Sequence, residues 1–513
     1  MAIPKQSGVA SLLGFALLLV LLQAQLELGS SGVLIERLQL ADAYDTPAIH
    51  YSPAPGLRSG VVAVLVHGHQ CNKAMMAQLA RSLAVRGVEA YAIDLPGHGE
   101  SQRTFAPDRA SSAAASAVAA ILERSNVSPA KLVLIGHSFG AVALGPQALH
   151  RDLLATVFLG PGQTDGLSRR RPNNALIITA GHDYDFIKRD SQAMYDELTA
   201  GESKAPGNLV GDFQQQDARL WEEIPDAEHI SLLFDPRVFR QVAEWIDRAA
   251  GNTIVLQSSD SSGAARRAAL AALALSLVLA ALIARFAGNA GIAGAGEPAR
   301  NWVRPAIAIF AALYFAVIVT QAWVPLRFLH LEEGEILVSL MAVSGILGLA
   351  FLAPLDDKIT CRAGLPDALV AVALFLATYA LALVTIDREF YTLRIAADDW
   401  KRLSTLGVTA AAAVPFFLLQ EEWLRRLQGA SGRRLRQFAL AGGGVLVLAV
   451  AVGASLYFVG ARLYRFNAAL AGLLVYCAVA SAILRAASKN TAAGVLYASL
   501  VTGWIVAVGF FHY

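Results

Sequence analysis

The chain has 513 residues, of which 55% are hydrophobic and only 16% charged, and its formal net charge is +2. It is too long for one domain and too apolar for a wholly soluble protein, so part of it is expected to lie in lipid. The near-neutral balance, with no Lys/Arg-rich run interleaved with aromatics, argues against a nucleic-acid partner.

Met1 to Ser7 carries one lysine and precedes the apolar run Gly8 to Leu28. Residues 1–32 therefore read as a transmembrane anchor or a signal sequence, and the length of the run with its poor small-residue cleavage pattern favours the anchor. From Val33 to about Ala250 short β-branched runs alternate with polar, helix-like stretches, which is an α/β rhythm. Val61 to Val66 is continuously apolar, as expected of a strand buried on both faces of a parallel sheet, and it ends in His67-Gly68-His69-Gln70. A second such strand, Val88 to Ile93, ends in Asp94-Leu95-Pro96-Gly97-His98-Gly99-Glu100-Ser101.

The third strand, Lys131 to Ile135, runs into Gly136-His137-Ser138-Phe139-Gly140 and then the small residues Ala141-Val142-Ala143. A serine thus sits where a buried strand turns sharply into a helix, the nucleophile-elbow pattern. The glycines on either side answer to sterics, because a side chain at either place would collide with the neighbouring strand or helix. Further strands are expected at Ala155 to Leu159 and Ala175 to Thr179. All the motifs fall at the carboxyl ends of strands, where open α/β sheets form their sites.

HG after one strand, DxPGHGxS after the next and GHSFG after the third resemble the α/β-hydrolase superfamily over roughly Val33 to Ala250. That resemblance implies an α/β fold with a mostly parallel sheet, and a catalytic order of serine, acid, histidine along the chain. The strand at 175–179 leads into Ala180-Gly181-His182-Asp183-Tyr184-Asp185. Aligning the strand puts Asp183 at the family's acid position, although Ala180 stands where a glycine is more usual; Asp185 is the alternative acid. The segment Ile224 to His229, followed by Phe234-Asp235-Pro236 and a helix from Val238 to Ala249, resembles the family's closing histidine loop and nominates His229.

A serine hydroxyl is a poor nucleophile at neutral pH and needs a base, whose tautomer a buried carboxylate must fix. Ser138 would attack, His229 would move the proton and Asp183 would orient the imidazole. The resemblance implies an oxyanion hole made by the backbone N–H groups of Phe139 and His69. His67, His69, His98, His137 and His182 crowd the motif loops, but their positions follow the hydrolase pattern without a metal, and no cofactor is called for. His50 and His150 read as surface or packing residues. Cys71, Cys361 and Cys477 lie far apart without CxxC spacing, an odd count unsuited to a closed disulfide framework, and each reads as a small buried residue. Only a short connection separates the strand ending near Leu159 from the one at Ala175. A shallow or open pocket is therefore expected, suited beside a membrane to a lipid or lipid-linked acyl ester.

Residues 251–265, with Gln257-Ser258-Ser259-Asp260-Ser261-Ser262-Gly263, look like a linker. Beyond it, 266–513 reads as an all-α polytopic membrane domain of about eight helices, each needing roughly 17 to 25 apolar residues. They fall near 267–287, 304–323, 335–354, 366–386, 404–420, 438–460, 467–486 and 491–511, and are hydrophobic all round rather than amphipathic. With Lys5 in the cytoplasm the hydrolase region lies outside, and Arg425, Arg426, Arg433, Arg434 and Arg436 fall inside, as the positive-inside rule prefers. The loop holding Arg388, Arg394, Lys401 and Arg402 counts against that orientation. The expected location is the plasma (inner) membrane with the hydrolase region extracytoplasmic.

Gln420-Glu421-Glu422-Trp423-Leu424-Arg425-Arg426 is similar to the EExxxR signature of the CAAX-protease and bacteriocin-processing membrane family. The histidines that family needs are missing from the following helices; only His512, at another offset, and the upstream His330 remain. A charge cluster at a helix end, with Glu422 paired to Arg425 or Arg426, is the plainer reading. Two functions compete: a membrane-tethered serine hydrolase acting on a small-molecule or lipid ester (or a thioester or amide), and a membrane scaffold or processing protein whose hydrolase-like domain only binds. A binding-only relative need keep neither serine nor histidine, and both are present here, which favours the enzyme. Membrane lipids are expected neighbours; the sequence points to no particular protein partner.

Overall fold

The computed structural model describes residues 33–150, 152–202, 205–251, 329, 331, 334–352, 364–385, 387, 392–429, 467–488, 492–510 and 512. The sequence expectations for 1–32, for the 251–265 linker beyond its first residue, and for the spans near 267–287, 304–323 and 438–460 lie outside the described residues. Contacts divide the chain into two units: 33–251 with Asp387 and Thr392–Arg394 belong to one, and the helical segments within 334–382 and 395–512 to the other.

The first unit is built on an eight-stranded sheet of spatial order β1-β2-β4-β3-β5-β6-β7-β8. Its strands are β1 (Val33–Gln39), β2 (Pro47–Pro53), β3 (Val62–Val66), β4 (Glu89–Ile93), β5 (Leu132–His137), β6 (Ala155–Leu159), β7 (Ala175–Ala180) and β8 (Arg219–Ile224). From β4 to β8 every pairing is parallel, while β1 and β2 join antiparallel at one edge. The helices are α1 (Ala77–Ala84), α2 (Ala110–Ser125), α3 (Phe139–His150), α4 (Asp185–Thr199) and α5 (Pro236–Ala249). The four parallel strands expected at 61–66, 88–93, 131–135 and 155–159 are present as β3 to β6, and β7 extends the fifth by one residue. The antiparallel edge and β8 carried no such apolar signal: β1 alternates exposure, and β8 reads Arg-Leu-Trp-Glu-Glu-Ile.

The apolar run of β3 follows from burial on both faces. Ala63 and Leu65 pack with α1 and α5, whereas Val62, Val64 and Val66 pack with α2 and α3. Successive side chains of a strand point to opposite faces, so a strand covered twice must be apolar throughout. Truncating such a residue, Leu65→Ala for instance, costs about 2–5 kcal/mol. α5 meets the sheet with Val238, Phe239, Val242, Ala243 and Ile246, spaced as one helical face, and the Asp235 side chain caps its start by accepting from Arg237 N at 2.8 Å.

Chain order places β3 at the point where the sheet changes direction: β4 lies on one side of it and β5 on the other. The crevice at that reversal, at the carboxyl ends of β3 and β5, is where ligands of such sheets bind.

The second unit contains α6 (Gly334–Leu352), α7 (Leu365–Thr385), α8 (Trp400–Gly429), α9 (Asn467–Ser488) and α10 (Ala492–Gly509). Among the described residues three stretches, Leu365–Val384, Trp400–Glu422 and Ala492–Gly509, are long and apolar enough to cross a membrane. Small residues set the packing here: a Cβ on Gly345 would meet the backbone of Pro415 and Phe416, and one on Gly503 the carbonyl of Leu406. Such close backbone approach is what glycine allows between helices. α8 runs from 400 to 429 rather than 404 to 420, so Glu421 and Glu422 sit inside a helix and are buried, not at its end. The side chains of Arg425 and Arg426 lie outside the description, so the suggested pairing with Glu422 does too.

Candidate active site

The elbow is built by sterics at three alternate positions, Gly136, Ser138 and Gly140. Ser138 has φ of 53°, in the left-handed region, a conformation costing roughly 1–2 kcal/mol for a residue with a side chain. A Cβ on Gly136 would lie 2.5 Å from Ala141 Cα, and one on Gly140 would strike the carbonyls of Val66 and His67. The serine is held there by its own N–H, which donates to Leu159 O at 2.9 Å, tying the end of β5 to the end of β6. Ser138 is half-buried and Phe139 opens α3. The first N–H groups of a helix have no partner within it, which suits them to a developing anion.

The His67-Gly68-His69 turn after β3 runs alongside. A Cβ on Gly68 would lie 2.6 Å from His137 Nδ1 and 3.1 Å from Ser138 Cβ, so this glycine lets the loop lie against the elbow. The His69 ring stands 5.9 Å from that of Phe139, centroid to centroid, with Phe105 and His98 closing the same aromatic group. The two residues expected to supply oxyanion donors are thus neighbours.

His67 does not take part in proton transfer. Leu95 N–H donates to its Nε2 at 3.1 Å, so the proton sits on Nδ1, which donates to Gly68 O at 2.8 Å. Burial pushes its pKa down to about 4. It is a neutral strut between the ends of β3 and β4. Asp94 of the second motif is likewise structural: its carboxylate accepts from Lys73 N at 2.7 Å and Glu100 N at 2.8 Å and pairs with the Lys73 ammonium.

On the far side of the elbow, Asp183 and His229 come together. His229 Nδ1 donates to Asp183 Oδ1 at 2.8 Å, and the same oxygen accepts from Tyr184 N at 2.8 Å. Both residues are buried. Asp185, the alternative acid, is exposed and begins α4. The bond to Asp183 fixes the tautomer of a neutral His229 so that Nε2 is its unprotonated nitrogen. The histidine loop is pinned to the strand ends by Gly181 N donating to Ile224 O at 2.8 Å and His182 N to Ala227 O at 3.0 Å. His137, next to the serine, donates from Nε2 to His229 O at 3.2 Å, and the two rings lie 4.7 Å apart. Burial, followed by the charge of nearby His229, pushes the His137 pKa down, which keeps that donor neutral.

Two contributors escaped the sequence reading. Gly160, just after β6, has φ of 49°, and a Cβ there would lie 2.9 Å from the His229 ring and 3.3 Å from Asp183 Oδ2. Its signal was a glycine directly following a buried strand. Tyr184 places its ring 5.2 Å from that of His229 and stacks on Phe186; nothing in local spacing marks it. Cys71 is buried, and burial raises its thiol to about 12, leaving it an inert packing group. His50 is a packing residue, stacked on Tyr91 at 4.2 Å and bonded to Glu89 at 2.9 Å. Among the described residues no group of three or more His, Cys, Asp or Glu side chains is placed to hold a metal ion.

With this geometry in place, the comparisons fall on the same region. Residues 63–259 match the profile of the Alpha/beta hydrolase family. No curated protein matches the chain. Similar solved structures include a thermophilic esterase from Thermogutta terrifontis, 14% identical, covering 42% of this chain and 99% of its own, with a TM-score of 0.31. Another is a monoacylglycerol lipase from Paleococcus ferrophilus, 16% identical over 42% of this chain and 99% of its own, TM-score 0.29. A third is an α/β serine hydrolase without lid from Xanthomonas campestris, 17% identical over 44% and 98%, TM-score 0.32. The first unit has the α/β-hydrolase fold.

Proposed function

We propose that the protein is a membrane-tethered serine hydrolase that cleaves a carboxylic ester, or a related thioester or amide, through an acyl-enzyme. The observation that carries this reading is the buried Asp183–His229 hydrogen bond, tied through the His229 carbonyl to His137, the residue before a serine in left-handed conformation at the end of β5. In this mechanism Ser138 Oγ attacks the substrate carbonyl carbon while His229 Nε2 takes the hydroxyl proton. Asp183 stabilises the imidazolium without itself being protonated. The N–H groups of Phe139 and His69 receive the oxyanion, each worth on the order of 3 kcal/mol. Collapse of the tetrahedral intermediate breaks the bond to the leaving group, which departs with the proton from His229. Water, deprotonated by the same imidazole, then attacks the acyl-serine and releases the acid.

The substrate is a lipid or lipid-linked ester. The connection from β6 to β7, residues 160–174, holds only a single β-bridge in place of an inserted lid, and an uncovered site beside a bilayer suits a substrate presented from it. Residues 1–32 act as anchor, 33–250 as the hydrolase domain, 251–265 as linker and 266–513 as a membrane domain of about eight spans. The outward apolar stripe of α7, with Leu365, Leu369, Val372 and Leu376 exposed at helical spacing, supports contact with lipid tails. The hydrolase domain is extracytoplasmic, at the plasma (inner) membrane.

A fluorophosphonate probe tests the nucleophile: it labels the wild type and not Ser138→Ala, and an unlabelled wild-type protein overturns the reading. Hydrolysis assays test the substrate class. Long-chain or lipid esters in micelles are cleaved in preference to short soluble esters, and the reverse preference removes the lipid assignment.

A further inference from the structure

A chain of charges, buried at Lys73, Asp94 and Asp387 and half-buried at Arg37 and Glu100, runs from the site-forming loops to a segment more than three hundred residues away. Lys73, fully buried, pairs with Asp94 and, at 2.8 Å, with Glu100. Glu100 in turn accepts from Arg37 of β1 at 2.7 Å. Burial pushes the Glu100 carboxyl up, but Lys73 and Arg37 outweigh it and hold it below the usual range, so Glu100 is ionised at neutral pH. The other guanidinium nitrogen of Arg37 grips Asp387, through both its carboxylate and its main-chain carbonyl. Asp387 is itself buried, and its second oxygen accepts from Leu393 N at 2.6 Å. Beside it, Thr392 N donates to Asn72 Oδ1 at 3.1 Å, an oxygen that also accepts from Ala74 N at 3.0 Å.

Two of these contacts land on the loop that continues from His67-Gly68-His69. Asn72 and Lys73 follow His69 within four residues, and Cys71 N bonds back to Gly68 O at 3.2 Å. The loop has little regular structure of its own to stiffen it, so its shape depends on what its polar groups grip. Burying several charges is tolerable only while each is paired, and removing one partner leaves another stranded.

We propose that Asp387 and the Thr392–Leu393 backbone form a strap that holds the His67–Lys73 loop in the shape an oxyanion hole needs. Asp387 and Thr392 are positioning residues: they act through Arg37, Lys73 and Asn72 and touch no substrate. The catalytic part of this statement rests on the serine-hydrolase reading; the structural part does not. It gives the C-terminal half a role in the site beyond tethering.

The test uses the full chain in detergent. In D387A, kcat for a chromogenic ester, normalised to fluorophosphonate-titrated sites, falls roughly ten- to hundred-fold, the cost of a small misplacement at a reacting centre, while KM stays within about two-fold. Inhibition by a trifluoromethyl ketone, whose adduct places an oxyanion in the hole, weakens by the same factor. D387N, which keeps an acceptor for Leu393 N–H, recovers most of both. A strap that mattered only for stability would lower the unfolding temperature and leave kcat and the inhibition constant at wild-type values, and that result overturns the proposal. Amide hydrogen exchange reads the same contact without catalysis: exchange at 69–74 becomes at least about ten-fold faster in D387A, and unchanged exchange also overturns it. Faster exchange in a protein whose wild type takes no fluorophosphonate sinks the serine reading and leaves the strap standing. Where D387A fails to accumulate, R37K serves, since lysine cannot fork between Glu100 and Asp387, and the same two readings apply.

Discussion

Buried acidic groups occur in both units, and their surroundings differ. In the sheet unit Asp183 holds His229 Nδ1 and Tyr184 N, and Asp94 holds two backbone N–H groups and an ammonium. In the helical unit Glu421 and Glu422 are buried within α8 beside Gln420, whose side-chain nitrogen and oxygen both lack a hydrogen-bond partner among the described residues. The contrast follows from the backbone. A strand that ends in a loop releases N–H and C=O groups that can orient side chains, whereas a helix spends its backbone groups on itself. A constellation with fixed tautomers and directed donors therefore forms at the carboxyl ends of the strands, whereas side chains inside a long helix meet few free backbone groups.

Removing the reactive groups of each unit in turn separates the two. Ser138→Ala or His229→Ala lowers kcat by about 10⁴- to 10⁶-fold, whereas Glu421→Gln and Glu422→Gln leave ester cleavage within about two-fold; an equal loss from the glutamates would erase the distinction. Asp183→Asn costs about 10⁴-fold through the wrong histidine tautomer, and Asp185→Asn stays near wild type in the same steady-state assay.

Within the sheet unit, Gly160→Ala inserts a methyl 2.9 Å from the His229 ring at a left-handed φ. A loss of roughly a hundred-fold in kcat is expected from the displaced imidazole, with the fold retained by circular dichroism. Acid sensitivity is the next effect. His67 is neutral when folded, with its pKa down at about 4 from an ordinary 6.5. Between those values the unfolded chain binds the proton and the folded one does not, so stability is complete above about pH 6.5 and falls as pH drops toward 4. The loss from this group is on the order of 3 kcal/mol, with His98 and His137, also shifted down by burial, adding in the same direction. Urea unfolding at pH 7.5, 5.5 and 4.5 measures the slope, and a flat profile refutes it. Smallest in energy is a labelling test. In a cysteine-free background, Arg394→Cys and Glu202→Cys react with an impermeant maleimide from the same side of the membrane, because the strap and the sheet share a unit. The four spans proposed between the linker and Asp387 would return the chain to that side; opposite labelling would rule out the contact with Arg37.

How much of this was legible beforehand depends on the range of the physics involved. The elbow could be read because its constraint is local: Gly136 and Gly140 are demanded by backbone atoms that any strand-to-helix turn brings close. The strands β3 to β7 could be read because burial on two faces leaves no polar position. Asp183 could be placed only by aligning a strand; the tertiary structure then buries its carboxylate against His229 and leaves Asp185 exposed. β8 was hidden because its pattern of Arg, Trp and paired Glu carries no apolar run. The end of α8 was misjudged because the apolar stretch stops before the helix does.

The amino-acid order alone determined the α/β unit and its motif loops and nominated the residues proposed for acyl chemistry, because each answers to sterics or hydrophobicity within a few positions. Only the tertiary structure decided that Gly160 makes room for the imidazole, that His137 braces the loop bearing it, and that Asp387 reaches Arg37. Those contacts join residues from about seventy to three hundred and fifty positions apart, and hydrogen bonds across such distances leave no periodicity in the chain to read.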